Sequence, residues 1–192
     1  MSMICNLRQA SDVKIEELLA NPEEIVFFLC GPTPAPKPGF FARLFRREKE
    51  KAQNTREWSP PPDDEQVDLD KAWHGIHYLL TGSAWEGEKP LCYLVQGGAE
   101  VGDVDVGYGP ARALRSDQVK AFHDALRALS REDLKVRYQP ERMKELDIYP
   151  GIWDSEPPEG DPFGYLMEYV KILDEFLAKT VQKGLGLVVC IN

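Results

Sequence analysis

The chain has 192 residues, 43% hydrophobic and 29% charged, which suits one globular domain with a substantial core and argues against a second full domain. With 32 acidic against 23 basic side chains the formal charge is -9, so a polyanion meets net repulsion and nucleic acid is a poor default partner. The start MSMICNLRQA has no cationic lead into a sustained apolar stretch, and the runs IVFFLC and LGLVVCI are too short to span a bilayer, so a cytoplasmic protein without a membrane span is expected.

MICNLRQA alternates apolar and polar positions and predicts a first strand, after which Ser11 caps a helix through Ala20. PEEIVFFLC reads as a further short helix, with a buried strand as the alternative. From Gly31 to about residue 66 the prolines of GPTPAPKPG and SPPPDDE deny regular structure, and a mobile insertion is expected there. Inside it FFARLFRREKEK predicts a short basic amphipathic helix, read as a linker helix that covers part of the body, with docking to a partner or an anionic membrane surface as the alternative.

VDLDKAWHGIHYLLTG is helical by pattern and stops at Gly82, and EKPLCYLVQGG predicts another short helix. EVGDVDVGYGP is read as loop leading into a strand at ARALR, and Ser116 as the cap of DQVKAFHDALRAL. SREDLKVRYQPERMKELD gives two short helices broken near Pro140, followed by an extended IYPGIW. Asp161 and Pro162 open a long helix striped by Phe163, Leu166, Met167, Val170, Leu173, Leu177 and Val181, which Gly184 ends. GLGLVVCI is then a strand apolar on both faces, which needs cover from two sides. The fold class expected is α/β, a single layered domain over residues 1–192 with a small mixed sheet covered by helices on both faces.

In the histidine helix, Leu69, Ala72, Trp73, Ile76, Leu79 and Leu80 make a broad apolar face. Asp70, His74, His77 and Thr81 fall in a narrow polar stripe at its edge, with Lys71, Gly75 and Tyr78 beyond on an outer side. Asp70, one turn before His74, is placed to orient an imidazole, leaving His77 for an anion or a shared metal. A catalytic zinc site needs about three protein ligands, and the helical zinc motif spaces its histidines by four with a glutamate between, so HGIH does not match. The preferred reading is architectural, with both rings satisfied along a packing seam. No metal and no cofactor is expected.

If a site exists, Tyr108 and Arg112 are its candidate companions to Asp70, His74 and His77, and Asp103, Asp105 and Arg115 lie nearby in sequence. The glycines of GDVDVGYGP match neither a dinucleotide nor a P-loop spacing, and His123 stands without a companion. No GxSxG is present. Cys5, Cys30, Cys92 and Cys190 form no CxxC pair and are read as reduced thiols.

The order MSMICNLR, DLDKAWHGIHYLLTG, GYGPARAL, MKELDIYPGIW and GLGLVVCI resembles the YfbM-like family of uncharacterised bacterial proteins, over most of the chain outside residues 31 to 66. The resemblance implies an α/β layered domain and brings no established activity or catalytic residues. Acidic stretches at Asp63 to Asp70 and Asp154 to Asp161 favour a non-enzymatic module that binds another protein, basic in character, in the manner of an inhibitor or immunity protein. The rival is a small enzyme or ligand-binding protein using Asp70, His74 and His77.

Overall fold

The computed structural model describes residues 2–32, 58–155 and 160–192. Alternation in CNLRQA becomes strand β1 (Cys5–Ala10), and four further strands follow: β2 (Gln66–Asp68), β3 (Ala99–Asp105), β4 (Pro110–Leu114) and β5 (Gly186–Ile191). They lie in the order β2-β1-β5-β4-β3, and every neighbouring pair runs antiparallel.

The helices described are α1 (Asp12–Ala20), α2 (Glu24–Cys30), α3 (Trp73–Thr81), α4 (Tyr93–Gln96), α5 (Ser116–Arg127), α6 (Arg131–Arg137), α7 (Pro140–Glu145) and α8 (Pro162–Gln182). Their ends follow local chemistry. The Ser11 hydroxyl accepts from the Lys14 amide at 3.2 Å, and the Asp161 carboxylate accepts from the Gly164 amide at 2.9 Å. Gly82 ends α3 in the left-handed region at φ 75, which glycine enters without steric cost.

Side chains of α1 and α2 cover one face of the sheet, where Ile15, Leu18 and Ile25 meet Ala113, Val188 and Cys190. The larger core lies on the other face: Cys5, Leu7, Leu187 and Val189 pack beneath α3, α5 and α8. Alternate residues of β5 therefore enter different cores, and Gly186 to Cys190 are all buried. The layered α/β domain has helices on both faces, as its sequence indicates, but the sheet is antiparallel and not mixed. Two-sided apolarity is a habit of parallel strands; here it follows from helical cover alone.

Four other expectations change. EVGDVDVGYGP is not a loop, since β3 forms with a register shift between Glu100 and Asp105. Gly102 sits there at φ 60 beside Pro22, where an added Cβ would approach to 2.4 Å. Ser116 is the first helical residue of α5 and not its cap, its hydroxyl donating to Asp12 Oδ2 at 2.7 Å. IYPGIW folds into turns, and the helix expected over VDLDKAWHGIHYLLTG starts only at Trp73, since Gln66–Asp68 form β2 and Asp70–Ala72 a 3-10 turn leading into α3.

Of the expected insertion, residues 31–32 and 58–66 are described. A 3-10 turn (Asp63–Glu65) leads into β2, and Lys183 at the end of α8 reaches Asp64 at 2.8 Å. The basic helix expected at 40–51 lies outside the described residues. No described helix is long and apolar enough to cross a membrane.

Candidate functional site

Helix α3 has no outer side. Trp73 through Leu80 are all buried, including Gly75 and Tyr78. The polar stripe runs through the interior, so each imidazole must find a partner there or remain neutral at a cost.

His74 finds two. Its Nε2 lies 2.7 Å from the Ala84 carbonyl, and its Nδ1 accepts from the Tyr149 amide at 2.9 Å. An amide can only donate, so Nδ1 is unprotonated and Nε2 carries the hydrogen: one neutral tautomer is fixed. The ring stacks on Trp73 at 4.8 Å between centroids and meets the half-exposed Trp85 at 4.5 Å. Burial lowers its pKa, against the pull of the Ala84 carbonyl. A ring engaged on both nitrogens has no lone pair left for a metal or a substrate proton.

His77 differs. It is fully buried, and among the described residues neither ring nitrogen has a partner of hydrogen-bonding geometry. Burial, then the nearby His74, pushes its pKa down to about 4, although the Glu86 and Trp85 backbone favours the charged form. Both histidines thus face the segment between α3 and α4, which they hold by hydrogen bonding and by contact.

Asp70 does not orient His74. Its carboxylate accepts from the Tyr165 hydroxyl on α8 at 2.9 Å, while its amide donates to Asp68 Oδ1 at 2.6 Å. Its backbone sits at φ 45, a left-handed conformation that aspartate tolerates better than most residues. Tyr165 meets Tyr169 edge-on at 5.0 Å. Burial, then the Asp70 hydrogen bond, raises the Tyr165 pKa, and the hydroxyl of Tyr169 is raised by burial and by the charges of Asp70, Asp68 and Glu168. The Asp70 carboxylate thus ties the turn before α3 to Tyr165 of α8, and the charges of Asp68 and Glu168 also act on Tyr169.

Tyr108 and Arg112 belong to the β3–β4 hairpin. Tyr108 is exposed, its amide donating to the Ile191 carbonyl. Arg112 donates to the Gly97 carbonyl and pairs with Glu100 at 2.7 Å. Neither forms a hydrogen bond, ion pair or ring contact with Asp70, His74 or His77. Asp105 accepts from the Gly107 and Gly109 amides and shapes the hairpin tip. Arg115 pairs with Glu16, and His123 lies 3.1 Å from Asp174. Among the described residues no group of three or more His, Cys, Asp or Glu is placed to hold a metal ion. The four cysteines are free thiols.

The residues that sequence reasoning missed are Tyr165, Glu168 and Tyr169. Their spacing puts them on one flank of α8, but nothing in the chain ties that flank to Asp70, about a hundred positions earlier. The blocks DLDKAWHGIHYLLTG and DIYPGIW meet in space as well. Tyr149 binds His74, and the Trp153 ring lies against Gly75, where an added Cβ would stand 2.7 Å from Cη2. The motifs that carry the family resemblance form one packing unit.

A family profile described as "Domain of unknown function (DUF1877)" matches residues 1–190. The chain belongs to the DUF1877 family. Protein YfbM of Escherichia coli (strain K12) is 33% identical over 121 residues, 62% of this chain and 71% of that protein. A crystal structure of the Escherichia coli protein of unknown function YfbM shares the fold, with a TM-score of 0.67 and 23% identity over 98% of this chain and 99% of that one. The profile match confirms the family and the structural match the α/β architecture that the sequence blocks suggest; neither supplies a reaction or a partner.

Proposed function

We propose that this DUF1877 protein is a cytoplasmic, non-enzymatic binding module for a basic protein, acting like an inhibitor or immunity protein. The observation that carries the reading is the Asp70 carboxylate bound to Tyr165 beside Tyr169, with the charges of Asp68 and Glu168 near enough to act on Tyr169. A lysine or arginine docking there gains charge complementarity from the carboxylates and quadrupole attraction from the rings. Tyrosine also supplies large contact area at low entropic cost, as interface anchors do. Free thiols accord with a reducing compartment.

The test is capture from the native cell on immobilised protein, with an Asp68→Asn, Asp70→Asn, Glu168→Gln variant alongside. The expected result is a stoichiometric basic protein that binds at low salt and is lost from the variant. Recovery of nothing, or equal recovery by both forms, removes the reading.

The second reading, a ligand site or small enzyme around Asp70, His74 and His77, draws on the unpartnered nitrogens of His77. It predicts that changing both histidines to alanine abolishes binding of a small molecule or metal that the wild type takes up, with the fold retained.

A further inference from the structure

On the flank of α8 opposite the tyrosines, the α5–α6 corner encloses a cleft of about 320 Å³. That is within the lower range of ligand pockets, about 300 to 1,000 Å³. Its floor is aliphatic: Leu126, Leu134 and Met167 are buried, while Leu129 and Val170 are half-buried. Its rim is cationic, with Arg127, Arg131 and Lys171 all exposed. Three cations around one apolar recess reverse the sign that the rest of a chain of charge -9 presents.

The acidic groups at the rim are already engaged. Asp174 lines the cleft, but its Oδ1 lies 3.1 Å from His123 Nε2. Glu175 stands 3.8 Å from the Lys171 ammonium, an exposed pair that a stronger anion displaces at little cost. The Arg131 guanidinium also sits 5.1 Å from the centroid of the Phe163 ring, one turn before Met167 on α8.

We propose that this cleft binds an anionic amphiphile, a carboxylate carried on a short unbranched alkyl chain. The chain lies on the leucine and methionine floor, and the carboxylate bridges the two arginines and Lys171. Guanidinium forks suit a planar carboxylate, and the unbranched Met167 side chain adapts to a chain of variable length. A neutral alkane lacks a partner for the rim, and a simple anion leaves the floor wet. The proposal stands apart from the tyrosine face and survives or fails independently of it.

The test uses octanoate with the whole protein labelled at its methionine methyls. Met167 is the one described methionine on the cleft lining, whereas Met143 is fully buried elsewhere. The expected result is a saturable shift of the Met167 methyl with Met143 unmoved. Binding weakens at least about tenfold in an Arg127→Glu, Arg131→Glu variant. It is lost in Val170→Trp, which fills the floor and leaves the rim intact. Absence of a saturable Met167 shift overturns the proposal. So does equal binding of octanol, which lacks the charge, or a Met167 response to an acidic amphipathic peptide with none to octanoate.

Discussion

His74 and His77 stand one turn apart on the same buried helix, yet their substitution is expected to have opposite consequences. His74→Ala strands the Ala84 carbonyl and the Tyr149 amide and opens a void between two tryptophans. A loss of about 2–5 kcal/mol in urea unfolding is expected. His77→Leu removes a ring whose nitrogens have no partner, so it changes stability by less than about 1 kcal/mol or raises it. The reverse order would show that His77, and not His74, holds the segment after α3. Acid separates them further. Unfolded, His77 titrates near the ordinary 6.5, but folded it titrates at about 4. Between those values the unfolded chain binds the proton and the folded one does not. The stability conferred by neutral His77 is therefore present above 6.5 and falls by up to about 1.4 kcal/mol per pH unit on acidification, until the folded value is passed. Urea titrations across that window should give a shallower pH slope for His77→Leu than for the wild type; equal slopes would remove His77 as a source of acid sensitivity.

At the scale of elements, α3 is positioned by a contact that leaves no space for a methyl group. An added Cβ at Gly75 would lie 2.7 Å from both Leu166 Cδ2 and Trp153 Cη2. Gly75→Ala therefore loses about 1–3 kcal/mol by overpacking, despite a helix-propensity gain of up to about 1 kcal/mol. Thermal unfolding measures it, and a raised midpoint would show that Trp153 and Leu166 give way freely. Gly75 also marks the limit of what periodicity can reveal. The wheel of α3 separates an apolar face from a rest, but only Trp153 and Leu166, brought from elsewhere, decide that the rest is buried too. Helix α8 was legible because its signals are local: Asp161, Pro162, an apolar stripe and Gly184. β5 was legible for its composition, though not for its direction. β3 was missed because Gly102, Asp103 and Asp105 look like a turn, when a glycine at positive φ and a register shift let the strand pass Pro22. The candidate site was legible only in part. The HxxH stripe is legible as a polar line on an apolar helix, but the tie from Asp70 to Tyr165 joins positions no local pattern relates.

Across the whole molecule, α8 separates two surfaces of opposite character. Tyr165, Glu168 and Tyr169 face the carboxylates of β2 and the turn before α3, whereas Met167, Val170 and Lys171 line the basic cleft. Charge at the first surface should govern encounter with a partner more than the residence of the complex. Neutralising Asp68, Asp70 and Glu168 is expected to slow association with a basic partner and flatten its dependence on ionic strength, as read by stopped-flow mixing. An unchanged salt slope would place the interface elsewhere.

The place of β5 at the centre of the sheet has a consequence for how the chain is made. On the ribosome β1 and β2 emerge first and can pair, and β3 and β4 follow as a hairpin of their own. Among the described residues no strand pairing joins one ladder to the other until residues 186–191 arrive and pair with β1 and β4 together. Until that moment two half-sheets expose unpaired edges, so the nascent polypeptide becomes a single cooperative body only once β5 has been made.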